Sequence, residues 1–112
     1  MKLIDLSITK PELLKLAKNS FGNLVKAVVD VDRKIMVIDG VLHADEEAYL
    51  LTHGSHQSDL WGINLYPELN GDDFIEFDSM INLRPSRGNS SRSVDDVQIQ
   101  AQIRHVVASL VK

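Results

Sequence analysis

The chain contains no cysteine. That excludes disulfides, thiolate metal sites and a cysteine nucleophile, and leaves the redox compartment open. Aromatic residues make up 5% of the sequence, with a single Trp, which weakens any base-stacking platform for single-stranded nucleic acid. No apolar run approaches the roughly 20 residues of a membrane-spanning helix. The opening MKLIDLSI is short and interrupted by Asp5, unlike a secretory leader. Neither a P-loop nor a GxGxxG fingerprint occurs. There is no HExxH and no Cys/His cluster, so no strong zinc pattern. No GxSxG elbow surrounds Ser79, which argues against a serine nucleophile. Positive charge is in deficit, with 12 Lys and Arg against 16 Asp and Glu and a net charge of −4. A surface of that balance does not favour general binding to nucleic acid or anionic membranes, although a local basic site is compatible with it. The expectation is a soluble, cytoplasmic protein without a metal site.

What is present is ordinary for a globular chain. Its 112 residues are 44% hydrophobic and 25% charged, enough to bury one core without staples. Residues 1–112 therefore read as a single domain.

Leu3 to Ile8 alternates as a first strand. Thr9 and Glu12 then form the signature of a capping box, and Pro11 is tolerated in the first turn. Leu13, Leu14, Leu16 and Ala17 give this helix an apolar side, and Phe21-Gly22 ends it. Leu24 to Val31 and Ile35 to Ile38 read as a hairpin around Asp32-Arg33-Lys34. Within LHADEEAYLLTHG, Asp45, Glu46 and Glu47 crowd a helix start where the dipole favours negative charge. Ala44, Ala48 and Leu51 fall at helical spacing as its buried stripe, and Gly54 follows its end. Leu60 to Tyr66 is a strand, and Phe74 to Leu83 is the longest one, its hairpin partner. Ser93 is expected to cap the last helix, whose core face is Ile99, Ile103, Val106 and Leu110. The order β-α-β-β-α-β-β-α predicts an α+β fold: one largely antiparallel sheet with helices packed on one face.

One stretch departs from the acidic background. RPSRGNSSRS, residues 84–93, holds three arginines and four serines, with no carboxylate between Asp78 and Asp95. It joins a strand end to a helix N-terminus, where free amides and the dipole favour an anion. Gly88 and Asn89 suit left-handed backbone. Arg84, Arg87 and Arg92 supply forks for carboxylate or phosphate, with Asn89 and Ser90 as added donors. The competing readings are a plain solvated loop and an internal network with the five carboxylates of residues 68–78. Alternation also places Asn64, Glu76, Asp78, Asn82 and Arg84 on one sheet face beside Gly62. That face is either a solvated surface or a polar binding floor.

Proton-transfer candidates are His43, Glu46 and Asp78. His43 and Glu46 share a helix start, where acids more often serve as caps. His53 is expected against terminal helix carbonyls and His105 in solvent.

Several runs, VKAVVDVDR, LHADEEAYLL, DLWGINLYP, DDFIEFDSMINLRPSRGN and SRSVDD, resemble a family of small bacterial and archaeal proteins that constitute a domain of unknown function. The resemblance spans nearly the whole chain and implies a stand-alone single domain. It carries over no functional residues.

The functional expectation is a site for an anionic small ligand at the Arg84–Ser93 loop, with the question of an enzyme left open and no cofactor indicated. The alternative is a protein-interaction or structural module, in homodimeric form or with another partner. Nucleic-acid backbone binding through the same loop ranks below both.

Overall fold

A computed structural model describes residues 1–112. It contains eight regular elements in the expected order: β1 (Lys2–Ile4), α1 (Lys10–Asn19), β2 (Val25–Asp30), β3 (Ile35–Ile38), α2 (His43–Thr52), β4 (Leu60–Leu65), β5 (Ile75–Glu76) and α3 (Val97–Leu110). The strands form one sheet in the order β1-β3-β2-β4-β5, antiparallel throughout. The fold is α+β, as the pattern of hairpins separated by helices implied. No helix is long and apolar enough to cross a membrane.

The central strands are buried on both faces, and this corrects the expectation that all helices share one side. Ala27 and Val29 of β2, Met36 and Ile38 of β3, and Trp61, Ile63 and Leu65 of β4 point to one face, where α1 and α3 cover them. Val28, Val37 and Leu60 point to the other, where α2 lays Leu50 over them. The cause lies in the Val-rich β2, where consecutive residues are apolar and need cover on both sides.

Thr9 caps α1 as its sequence indicates. The Glu12 amide donates to Thr9 Oγ1 at 3.2 Å, and the Thr9 amide donates back to Glu12 Oε1 at 3.2 Å. β1 is shorter than expected. Ile8 instead makes an isolated parallel bridge to Val111, its amide donating to Leu110 O at 2.8 Å. α3 buries Ile103, Val106 and Leu110 as the spacing required, with Ile99 half-buried. Its cap is Asp96, whose carboxylate accepts from the Gln98 amide at 2.8 Å, so Ser93 lies outside the helix.

α2 is rotated relative to the sequence reading. Ala44, Ala48 and Leu51 are exposed, while His43, Glu46 and Leu50 are buried. Leu50 packs on the surface formed by Val28, Val37 and Leu60, with half-buried Tyr49 beside it, and this turns the Ala44–Ala48–Leu51 side to solvent.

The expected long strand from Phe74 to Leu83 is also corrected. Only Ile75–Glu76 pairs with β4. Beyond it the chain turns through a 3-10 segment, Met80–Asn82, and Asn82 takes over the pairing with its side chain. Its Oδ1 accepts from the Gly62 amide at 2.8 Å, and its Nδ2 donates to the Gly62 carbonyl at 2.9 Å. A carboxamide has the same donor and acceptor as a peptide group, so it stands in for the missing strand. Ile81 consequently packs with the α2-side core and not with Ile75 and Phe77.

Candidate functional site

The arginine loop is organised from within. Arg84 and Asn89 pair through two backbone hydrogen bonds of 2.7 and 3.1 Å, closing a hairpin over the 3-10 turn Pro85–Arg87. Gly88, at φ 84°, supplies the left-handed residue that ends the turn. Asn89 is buried. Its Nδ2 donates to the carbonyls of Asn82, Ser91 and Ser93 at 2.7, 3.1 and 2.8 Å, and its Oδ1 accepts from the Asp95 amide at 2.8 Å. Nothing of this side chain is left over for a ligand. The Ser90 amide donates to Asp95 Oδ2 at 2.9 Å, and the Ser91 hydroxyl donates to Oδ1 at 2.5 Å. These donors, first the hydroxyl and then the amide, hold the Asp95 carboxyl below its usual range. Of the expected donors, Asn89 is thus taken up by backbone carbonyls and the Ser90 amide by the chain's own Asp95 carboxylate.

The three arginines part company. Arg92 reaches Asp78 at 2.7 Å, an exposed pair within the acidic block of residues 68–78. Arg84 is half-buried. Its Nη2 donates to Leu60 O at 2.7 Å and to Glu47 at 3.3 Å, its Nε donates to Ile81 O at 3.0 Å, and its guanidinium lies 5.0 Å from the Trp61 ring centre. Burial lowers its pKa, Glu47 opposes this, and the charge of Arg87 lowers it further. Arg87 is exposed and forms neither an ion pair nor a side-chain hydrogen bond. Arg84 and Arg87 together face a cleft of about 450 Å³ bounded by Ser58, Trp61, Asp96 and Ile99.

The proton-transfer candidates lie elsewhere. His43 is buried at the first turn of α2, with Nε2 2.8 Å from the Ile63 carbonyl. Burial lowers its pKa, with the carbonyl acting in opposition, and the charges of Lys26, Asp78 and Arg92 are near enough to act on it. Glu46 is fully buried. Its Oε2 accepts from the Gly40 amide at 3.0 Å, and its Oε1 has no partner. Burial pushes this carboxyl up to about 9, against the opposing effects of the Gly40 amide and Lys26, so it is neutral at pH 7. Gly40 makes the room: a Cβ there would stand 2.6 Å from Glu46 Cγ.

The residues singled out from the sequence therefore divide into three groups. His43, Asp78 and Arg92 gather on the α2 side of the sheet. Arg84 and Arg87 face the cleft, and Asn89 and Ser90 belong to the loop's frame. His43, Asp78 and Arg84 do not line one pocket. No three His, Asp or Glu side chains come together as a metal ion would require. Gly62 does allow a close approach, but the visitor is Ser79 of the same chain: a Cβ on Gly62 would lie 2.5 Å from its Oγ. Sequence reasoning missed the contributions of Trp61 to the cleft floor, of Glu47 as the Arg84 partner, and of Lys26. The last had a signal, since it is the one cation in the apolar run from Leu24 to Val29.

Compared with known proteins, the chain matches one family model, described as Protein of unknown function (DUF5674), over residues 2–110. No curated protein and no solved structure matches it.

Proposed function

Since the chain belongs to the DUF5674 family, whose function is unknown, its geometry has to supply the reading, and we propose that it binds a small carboxylate- or phosphate-bearing ligand in the cleft between Trp61, Arg84 and Arg87. One observation carries this: two guanidiniums that act on each other's charge face a common cleft, and Arg87 has no counter-ion. An anion between them would relieve that repulsion and take up the unused forks of Arg87. Asp96 on the opposite wall is occupied at Oδ1 by the cap of α3. Its charge disfavours a polyanion and suits a ligand of low charge with a donor on its far side. Trp61 and Ile99 supply apolar contact for the remainder.

The only Trp of the chain forms part of this cleft, so its fluorescence reports on occupancy. Titration with phosphate, sulfate, sugar phosphates and dicarboxylates should give a saturable change with at least one class. Arg87→Ala, which removes no internal contact, should keep the fold and weaken that ligand about tenfold or more, the scale of a hydrogen bond to a charged group. A Trp signal indifferent to every anion, or an equal response in Arg87→Ala, would rule the reading out.

A further inference from the structure

The larger core is not fully closed near the C-terminal end of α3. Ile75 and Phe74, 8% and 7% exposed, are its most accessible members. Together with Val107, Ala108 and Val111 they line a cleft of about 420 Å³, within the range of roughly 300–1,000 Å³ typical of small-molecule sites. None of these five side chains carries a polar atom, so the floor suits an apolar body.

The rim is different. Lys10, at the start of α1, and Arg104, on α3, both border the cleft, and Asp72 is the one carboxylate among its lining residues. The balance is one positive charge in excess. Neither cation is firmly held. Lys10 Nζ lies 5.0 Å from the Phe74 ring centre, and its hydrogen bond to Asn70 Oδ1 is long, at 3.4 Å. The Arg104 guanidinium lies 5.0 Å from the Phe77 ring centre. It meets Asp72 at 3.5 Å, but that carboxylate is 97% exposed, and an ion pair so placed is weak and easily exchanged.

We propose that this cleft is a second ligand site, for a monocarboxylate with an unbranched alkyl tail. The tail lies on Phe74, Ile75, Val107 and Ala108, and the carboxylate meets Lys10 and Arg104 at the rim. The class follows from the lining: an apolar floor rewards methylenes and strips water from a bare inorganic ion, and one excess positive charge calls for a single anionic group. The site does not rest on the arginine cleft. The two share no lining residue, and Ile99 and Ala108 stand about 13 Å apart along α3.

The test is a titration of the whole protein with octanoate, read by NMR at the Gly71, Ala108 and Val111 amides. Trp61 fluorescence, which reports the arginine cleft, plays no part in it. Octanoate should shift these amides saturably, and intermolecular NOEs should join its methylenes to the Phe74 ring and the Ala108 methyl. Affinity should rise about threefold per methylene from butyrate to octanoate, the scale of a buried CH₂. Octan-1-ol keeps the tail and lacks the charge, so it should bind about tenfold or more weakly. Lys10→Met keeps the apolar stem and removes one cation. Ala108→Glu, at an exposed helix position, sets a competing carboxylate in the cleft. Both should retain the remaining amide spectrum and bind octanoate about tenfold or more weakly. No saturable shift or NOE at these residues, equal affinity for butyrate and octanoate, or octanoate binding untouched by both variants would overturn the proposal.

Discussion

At the scale of the residue, Glu46 sets the most distinctive chemistry. Burial pushes its carboxyl up to about 9, from an ordinary value of 4.5. Between those values the folded chain binds more protons at this position than the unfolded one. Stability therefore falls as pH rises, by up to about 1.4 kcal/mol per pH unit, and the loss levels off above the folded value. His43 works in the opposite sense. Its pKa is lowered from 6.5 by burial, so its contribution falls away as pH drops below 6.5. The two slopes oppose each other in mildly acidic solution, and of these two groups only Glu46 acts on the alkaline side. Glu46→Gln keeps an acceptor for the Gly40 amide and removes the titration. Denaturant melts across this range should show a flatter profile for the variant and a gain in stability at the alkaline end. A wild-type profile that is already flat from neutral to alkaline pH would contradict this assignment.

Among the elements, what the sequence disclosed follows local physics. The Thr9–Glu12 box and the Ile99-Ile103-Val106-Leu110 face are decided by residues within a turn or two of each other, and both appear as read. α2 and β5 are decided at a distance. The rotation of α2 depends on which of its stripes fits the Val28–Val37–Leu60 floor, and that floor is assembled from three strands. The end of β5 depends on Asn82 replacing a strand opposite Gly62, which alternation cannot anticipate. The arginines obey the same rule. That the loop is basic was legible, but the occupation of its donors by Asp95 and the separation of Arg92 from Arg87 required the tertiary fold. The Gly62–Ser79 contact makes this testable. Gly62→Ala would place a Cβ 2.6 Å from Ser79 Cβ, an overpacking that costs about 1–3 kcal/mol. Ser79→Gly removes the obstructing atoms. The double variant should thus be more stable than the sum of the two single losses predicts. Additive losses in a thermal-melt cycle would refute the contact.

For the molecule as a whole, the two cores draw on the chain differently. The α2-side core takes its buried residues from Val28 to Leu60, with Ile81 packed against it. The larger core runs from Ile4 to Leu110, and Ile8 takes its backbone partner from Leu110. A chain ending at Asp96 lacks α3, which takes Ile103, Val106, Val107 and Leu110 out of the larger core and leaves the Ile8 amide without its partner. It should show no cooperative thermal transition, by circular dichroism or calorimetry, where the full chain does. A cooperative melt in the shortened chain would show that α3 is dispensable.

The bridge between Ile8 and Val111 also bears on how the protein is made. A ribosome delivers Ile8 about a hundred residues before Val111, and the strand position it will occupy stays incomplete throughout that interval. The α2-side core has all its parts as soon as Ile81 emerges. Of the two faces of one sheet, the face bearing His43 can therefore assemble during synthesis, and the face under α1 and α3 closes only when the last turn of the last helix is free.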